Sequence, residues 1–123
     1  MIALLLAAAV AGLDHLPIAV RDLEKAAADY RALGFTLKPG RHHDNGMQNL
    51  HAKFSDGTEL ELITAPEARD ELSKFYVEHL RMGEGPGSFG LFAPSPDALA
   101  AQLKPRWRDL PKAKSLFSLS PGS

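Results

Sequence analysis

The segment Glu59-Leu60-Glu61-Leu62-Ile63 alternates acidic and aliphatic residues, and an extended strand turns that alternation into two chemically different faces. Glu59 and Glu61 share one face, while Leu60 and Leu62 share the other. The segment His15-Leu16-Pro17-Ile18-Ala19-Val20 reads the same way, with Leu16, Ile18 and Val20 on one side and His15 on the other. One sheet holding both strands can bury its aliphatic face and turn His15 and Glu61 into a common concavity.

A helix is expected between them. Asp22 is a suitable N-cap, and Leu23, Ala26, Ala27, Tyr30 and Leu33 recur at three- and four-residue spacing before Gly34 stops the pattern. The spacing predicts a helix over Leu23 to Leu33 whose large apolar side chains, Leu33 included, cover the aliphatic sheet face. Phe35-Thr36-Leu37-Lys38 then reads as a short strand interrupted by Pro39-Gly40. A polar stretch with adjacent His42 and His43 leads into the turn signal Asn45-Gly46 and a strand from about Gln48 to Phe54. Asp56-Gly57 turns the chain into the Glu59 strand. The order is βαβββ.

Beyond Ala65-Pro66 the pattern Leu72, Phe75, Tyr76, His79, Leu80 predicts a helix over about Glu67 to Arg81, stopped by Gly83. Gly85-Pro86-Gly87 reads as a loop, Ser88 to Ala93 as a strand and Asp97 to Leu103 as a short helix. Strand, link and helix over Ser88 to Leu103 echo His15 to Leu33, with Ser88 near the position of His15. A second module therefore begins, and no alternating strands complete it before the Ser-, Pro- and Lys-containing tail.

The expected class is α+β: an apolar segment over residues 1–12, one domain over 13–103 and a tail over 104–123. Within the domain, residues 13–65 form a complete module, and residues 66–103 supply a linking helix and a partial second module. The tail is expected to be partly ordered at most. The 123 residues carry a formal net charge of -1, which gives no global field for nucleic acid or an anionic membrane. The absence of cysteine excludes thiolate ligands, so any metal must be held by His, Asp or Glu. Met1 to Gly12 is apolar but shorter than the about 20 residues that cross a bilayer, so stable membrane insertion is not expected. Two readings of it stand: a degenerate export signal with a small-x-small site at Ala9-Val10-Ala11, or a buried helix or partner-contacting arm of a cytoplasmic protein.

Leu13-Asp14-His15-Leu16-Pro17-Ile18-Ala19-Val20-Arg21-Asp22-Leu23, the helix exit Leu33-Gly34-Phe35, and Phe54-Ser55-Asp56-Gly57-Thr58-Glu59-Leu60-Glu61-Leu62-Ile63 together resemble the glyoxalase-like branch of the vicinal oxygen chelate superfamily. The resemblance implies a cupped sheet of βαβββ modules, a divalent metal (Zn, Mn, Ni or Fe(II)), and a small-molecule substrate bound through adjacent oxygens. It implies lyase, isomerase or dioxygenase chemistry, with His15 and Glu61 as metal ligands. Asn49, His51 and Lys53 share one strand face, on which polar residues are expected to line the cup; Asn49 and His51 are the candidate substrate contacts. His51, of a residue type that titrates near neutrality, and Glu59 are the candidates for moving a proton. Each of these residues has a bland alternative as a satisfied or solvated side chain on a sheet. At the level of function, a metal-free binding protein of the same fold and a non-catalytic fragment stand beside the enzyme. The unfinished second module leaves an open sheet edge, and a homodimer is the expected assembly.

Overall fold

The computed structural model describes residues 12–103. The apolar segment up to Ala11 and the tail from Lys104 lie outside the described residues. Two compact units divide the described chain: residues 13–90 form one, and Gly12 with residues 91–103 belong to the other. In the second unit, α3 (Pro96–Leu103) begins after Ser95, whose carbonyl accepts from the Leu99 N–H at 3.1 Å, and Leu99 is buried.

The first unit is a sheet carried on a βαβββ chain order. Its elements are β1 (Gly12–Ala19), α1 (Leu23–Ala32), β2 (Lys38–Pro39), β3 (Gln48–Lys53), β4 (Glu59–Thr64), α2 (Glu71–Met82) and β5 (Gly85–Pro86), followed by β6 (Gly90–Phe92), which starts on the unit's last residue. Strand order is β2-β3-β4-β1-β5. β1 and β4 are parallel, with His15 opposite Glu59, Pro17 opposite Glu61 and Ala19 opposite Ile63. β3 runs antiparallel to β4, with His51 opposite Glu61 and Asn49 opposite Ile63. Directly opposed residues point to the same side. His15, Asn49, His51, Lys53, Glu59 and Glu61 therefore occupy one face, and Leu16, Ile18, Leu50, Ala52, Leu60 and Leu62 the other.

The aliphatic face receives α1, which packs on β3 and β4. Asp22 caps it by accepting from the Lys25 N–H at 3.0 Å, its own Ala27 is fully buried, and Ala52 and Leu62 are sealed beneath it. Burying Leu62, 1% exposed, contributes roughly 1.5–3 kcal/mol. Leu33 does not join this interface. It caps the helix at its end and stays 75% exposed, because the chain turns at Gly34 before another helical turn can carry it onto the sheet.

α2 covers the other end of the polar face. Tyr76 and Leu80 pack with Ala19, Met47, Ile63 and Ala65 in a buried cluster. The helix begins at Glu71, four residues later than its apolar spacing predicts. The Ser73 hydroxyl accepts from the N–H groups of Arg69 and Asp70, while Asp70 accepts from the Ser73 N–H at 2.8 Å; this capping box fixes the start. Two further elements depart from the sequence pattern. The second strand is Lys38–Pro39, not Phe35–Lys38, since the Phe35 ring packs on Tyr30 and Phe54 at centroid distances of 5.6 and 6.3 Å. Gly85-Pro86, read as loop, pairs antiparallel with Ala19 and Ile18.

Removing the cap with Asp70→Ala is expected to destabilise the fold by about 0.5–2 kcal/mol in urea unfolding at pH 7. Hydrogen bonds from Ser73 hold the Asp70 pKa below its ordinary 3.8. A depressed carboxyl stabilises the fold above the unfolded value and loses that contribution as pH falls through the folded one. The gap between wild type and variant should therefore persist at neutral pH and narrow below pH 3.8.

Candidate functional site

The polar face gathers around Glu61. Its carboxylate accepts from Asn49 Nδ2 at 2.9 Å through Oε1, and its Oε2 lies 3.7 Å from His15 Nε2. Glu61 and Asn49 are buried at 8% and 9% exposure. Beside them His51 donates from Nδ1 to Glu59 Oε1 at 3.0 Å, and Lys53 Nζ stands 3.9 Å from Glu59 Oε2. The register thus brings together His15, Asn49, His51, Glu59 and Glu61. His42 and His43 stay exposed in the loop before β3.

The tautomer of His15 follows from its partners. Nδ1 donates to Asp14 Oδ2 at 2.8 Å, which leaves Nε2 of a neutral ring as a bare lone pair. That lone pair faces a carboxylate oxygen. At 3.7 Å the two acceptors make no direct hydrogen bond, and a cation placed between them would be attracted to both. Two bonds of about 2.0–2.2 Å reach across this gap, and imidazole with carboxylate suits Zn, Mn, Ni or Fe(II). His15 and Glu61 fit such an ion as two of its ligands. Among the described residues no third His, Asp or Glu completes a cluster. The ring is also held from behind: a Cβ on Gly90 would sit 2.3 Å from His15 Nδ1 and Cε1, so only glycine lets the chain pass there.

Asn49 Oδ1 is buried with no hydrogen-bond partner. Such an acceptor costs about 1–3 kcal/mol, and reversing the amide would set its oxygen against the Glu61 carboxylate instead. The donor to Glu61 fixes the orientation.

Sequence reasoning left one group out. Tyr76 reads as an ordinary core position on its helix, yet its hydroxyl lies 3.4 Å from Ser88 Oγ and it feels the charge of Glu61. The signal was available only in part: Ser88 occupies the repeat position of His15, but nothing in the sequence pairs it with Tyr76. A separate open groove of about 760 Å³, with Arg21, Leu23, Gln48, Thr64, Val77 and Arg81 in its lining, holds none of the cup's polar residues.

A sheet on a βαβββ chain, with a His from the first strand facing a Glu from the fourth, is the architecture of the vicinal oxygen chelate class. A model of the glyoxalase-like domain matches residues 13–116, and the chain belongs to that family. Among solved structures, methylmalonyl-CoA epimerase from Streptomyces coelicolor, as a variant bound to 2-nitronate-propionyl-CoA, is similar at 24% identity and a TM-score of 0.62, covering 79% of this chain and 72% of that one. The epimerase from Mycobacterium tuberculosis is similar at 25% identity and a TM-score of 0.63, covering 80% of this chain and 65% of that one. A further methylmalonyl-CoA epimerase, in complex with methylmalonyl-CoA and NH4+, is similar at 24% identity and a TM-score of 0.62, covering 79% and 70%. No curated protein sequence matches the chain.

Burial is the main cause that raises the Tyr76 pKa above its ordinary 10.0; the bond to Ser88 opposes the shift and the Glu61 charge adds to it. The folded state then holds this proton more tightly than the unfolded chain does. Stability is intact below pH 10 and falls as pH rises from there through the folded value. Denaturant midpoints measured above pH 10 should drop more steeply for wild type than for Tyr76→Phe.

Proposed function

We propose that the chain is a glyoxalase-like small-molecule enzyme that holds a divalent cation between His15 and Glu61. The observation that carries this reading is the meeting of His15 Nε2 and Glu61 Oε2, two lone-pair atoms 3.7 Å apart, with His15 Nδ1 already committed to Asp14. When bound, the ion would act as a Lewis acid toward adjacent oxygens of the substrate. The chain's own residues supply the proton chemistry. With Nδ1–H of His51 donating to Glu59, the opposite nitrogen of the ring is free to accept a proton, and Glu59 stabilises the imidazolium that forms. Lys53 at the same carboxylate keeps Glu59 in its place as acceptor.

Of lyase, isomerase and dioxygenase chemistry, this arrangement favours the isomerase type, because it offers a base held by a carboxylate and because the similar solved structures are epimerases. The proposed substrate is a small molecule with a carbonyl beside an exchangeable C–H. A metal-free binding protein is the second reading, favoured by the lack of a third ligating residue among those described. In that case His15 would carry the proton itself and Asn49 and His51 would serve as polar contacts.

Titration with Mn2+ separates the two. Wild type should bind the ion stoichiometrically, and His15→Ala should lose more affinity than the about 10–100-fold that removal of an outer-shell partner costs. Wild type without ion binding, or a variant that binds equally well, overturns the metal reading. A homodimer follows from the same proposal: two residues make up each of β2 and β5, where the sheet path ends, and a second copy could both cover an edge and supply further ligands. Light scattering should give twice the chain mass, and a folded monomer would count against it.

A further inference from the structure

Asn49 reads from the sequence as a substrate contact, but its amide donates to Glu61 on one side and fills a notch in the backbone on the other. Nδ2 donates to Glu61 Oε1 at 2.9 Å. The other side of the amide occupies the space where residue 40 would carry a side chain: a Cβ on Gly40 would lie 1.7 Å from Asn49 Oδ1 and 2.4 Å from Cγ. The backbones meet there as well, with the Gly40 N–H donating to the Asn49 carbonyl at 3.0 Å. Gly40 is not among the glycines with positive φ, so its backbone angles do not call for glycine. The amide of Asn49 does.

We infer that Asn49 is a positioning residue for Glu61: seated in the notch left by Gly40, its amide occupies Oε1 and leaves Oε2 as the single oxygen offered to His15 and to whatever binds between them. This deepens the metal proposal and rests on Glu61 being a ligand there. Three features support it. Glu61 is only 8% exposed, and its Oε1 is taken up by the amide. Asn49 Oδ1 is left without a partner, so the amide is not placed for its own satisfaction. The two Glu61 oxygens also face different groups, one a neutral donor and the other the lone pair of His15. A neutral amide fits this task because it donates without cancelling the charge that a cation needs. An aspartate at position 49 would oppose the carboxylate, and a lysine would neutralise it.

Two measurements test the inference, one of them without metal. In the metal-free protein, the Asn49 side-chain amide, assigned by its loss in Asn49→Ala, should give a downfield proton protected from exchange, and Gly40→Ala should abolish both properties while the backbone spectrum stays folded. With Mn2+, Asn49→Ala should bind about 10–100-fold more weakly than wild type. Gly40→Ala should weaken binding in the same direction, yet cost nothing further in the Asn49→Ala background, where no amide remains to displace. An unchanged amide signal in Gly40→Ala overturns the inference, as does Mn2+ affinity in Asn49→Ala equal to wild type, or additive losses in the double variant. Wild type that binds no Mn2+ overturns the metal reading instead, and the metal-free amide spectrum still decides the Asn49 lock.

Discussion

The parallel pairing of β1 with β4 is the constraint on which everything else depends. It sets His15 opposite Glu59 and Pro17 opposite Glu61, and the antiparallel partner β3 then sets His51 opposite Glu61. Side chains alternate along a strand, so a slip of one residue in either pairing would send the acidic and basic groups under α1 and the leucines into the cup. The aliphatic face prevents that slip. Leu62 and Ala52 are sealed against α1, whose Ala27 is fully buried, and exchanging them for Glu61 or His51 would bury charge in an apolar layer. The packing of one face thereby holds the chemistry of the other in register.

α2 gives the polar face a second boundary. Tyr76 and Leu80 close over Ala19 and Ile63, the residues that follow Pro17 and Glu61 at two-residue spacing on the cup side of their strands. Water is excluded from one end of the cup as a result, and electrostatic interactions there are stronger than at an open surface. The phenol of Tyr76 lies at this end, where burial raises its pKa and the charge of Glu61 adds to the shift. The capping box at Asp70 and Ser73 contributes by starting α2 where Tyr76 and Leu80 fall on its inner side.

Strands β1, β3 and β4 and the helix between the first two were legible because alternation and helical spacing are local properties of the chain. That His15 and Glu61 would share a face was legible as well, on the condition, which the sequence did not fix, that their strands lie in one sheet. Elements whose form depends on distant partners were less so. Phe35 satisfies a strand pattern, but Tyr30 and Phe54 draw its ring into an aromatic cluster and the strand moves on to Lys38–Pro39. Gly85-Pro86 carries no strand signal at all and is extended only because the edge of β1 pairs with it. Within the site, Tyr76 and the roles of Gly40 and Gly90 could not be read, because a glycine filled by a neighbour's side chain looks like any other glycine until the neighbour is placed.

The two glutamates of β4 show why position on a face does not settle function. Glu59 and Glu61 are two residues apart on one strand and point the same way, yet their surroundings differ in charge. Glu59 has a His51 donor at 3.0 Å and the ammonium of Lys53 at 3.9 Å, so this chain's own basic groups meet its two oxygens. Glu61 is the more buried of the pair, and its contacts are a neutral amide and the Nε2 of His15, whose other nitrogen is already turned to Asp14. A buried carboxylate requires compensation, and the amide supplies a hydrogen bond but no charge. Neither the amide nor a neutral His15 ring brings a positive charge to it. Glu59 is thus met on both oxygens by the chain's own basic groups, whereas Glu61 keeps Oε2 directed at His15 without a hydrogen bond to it.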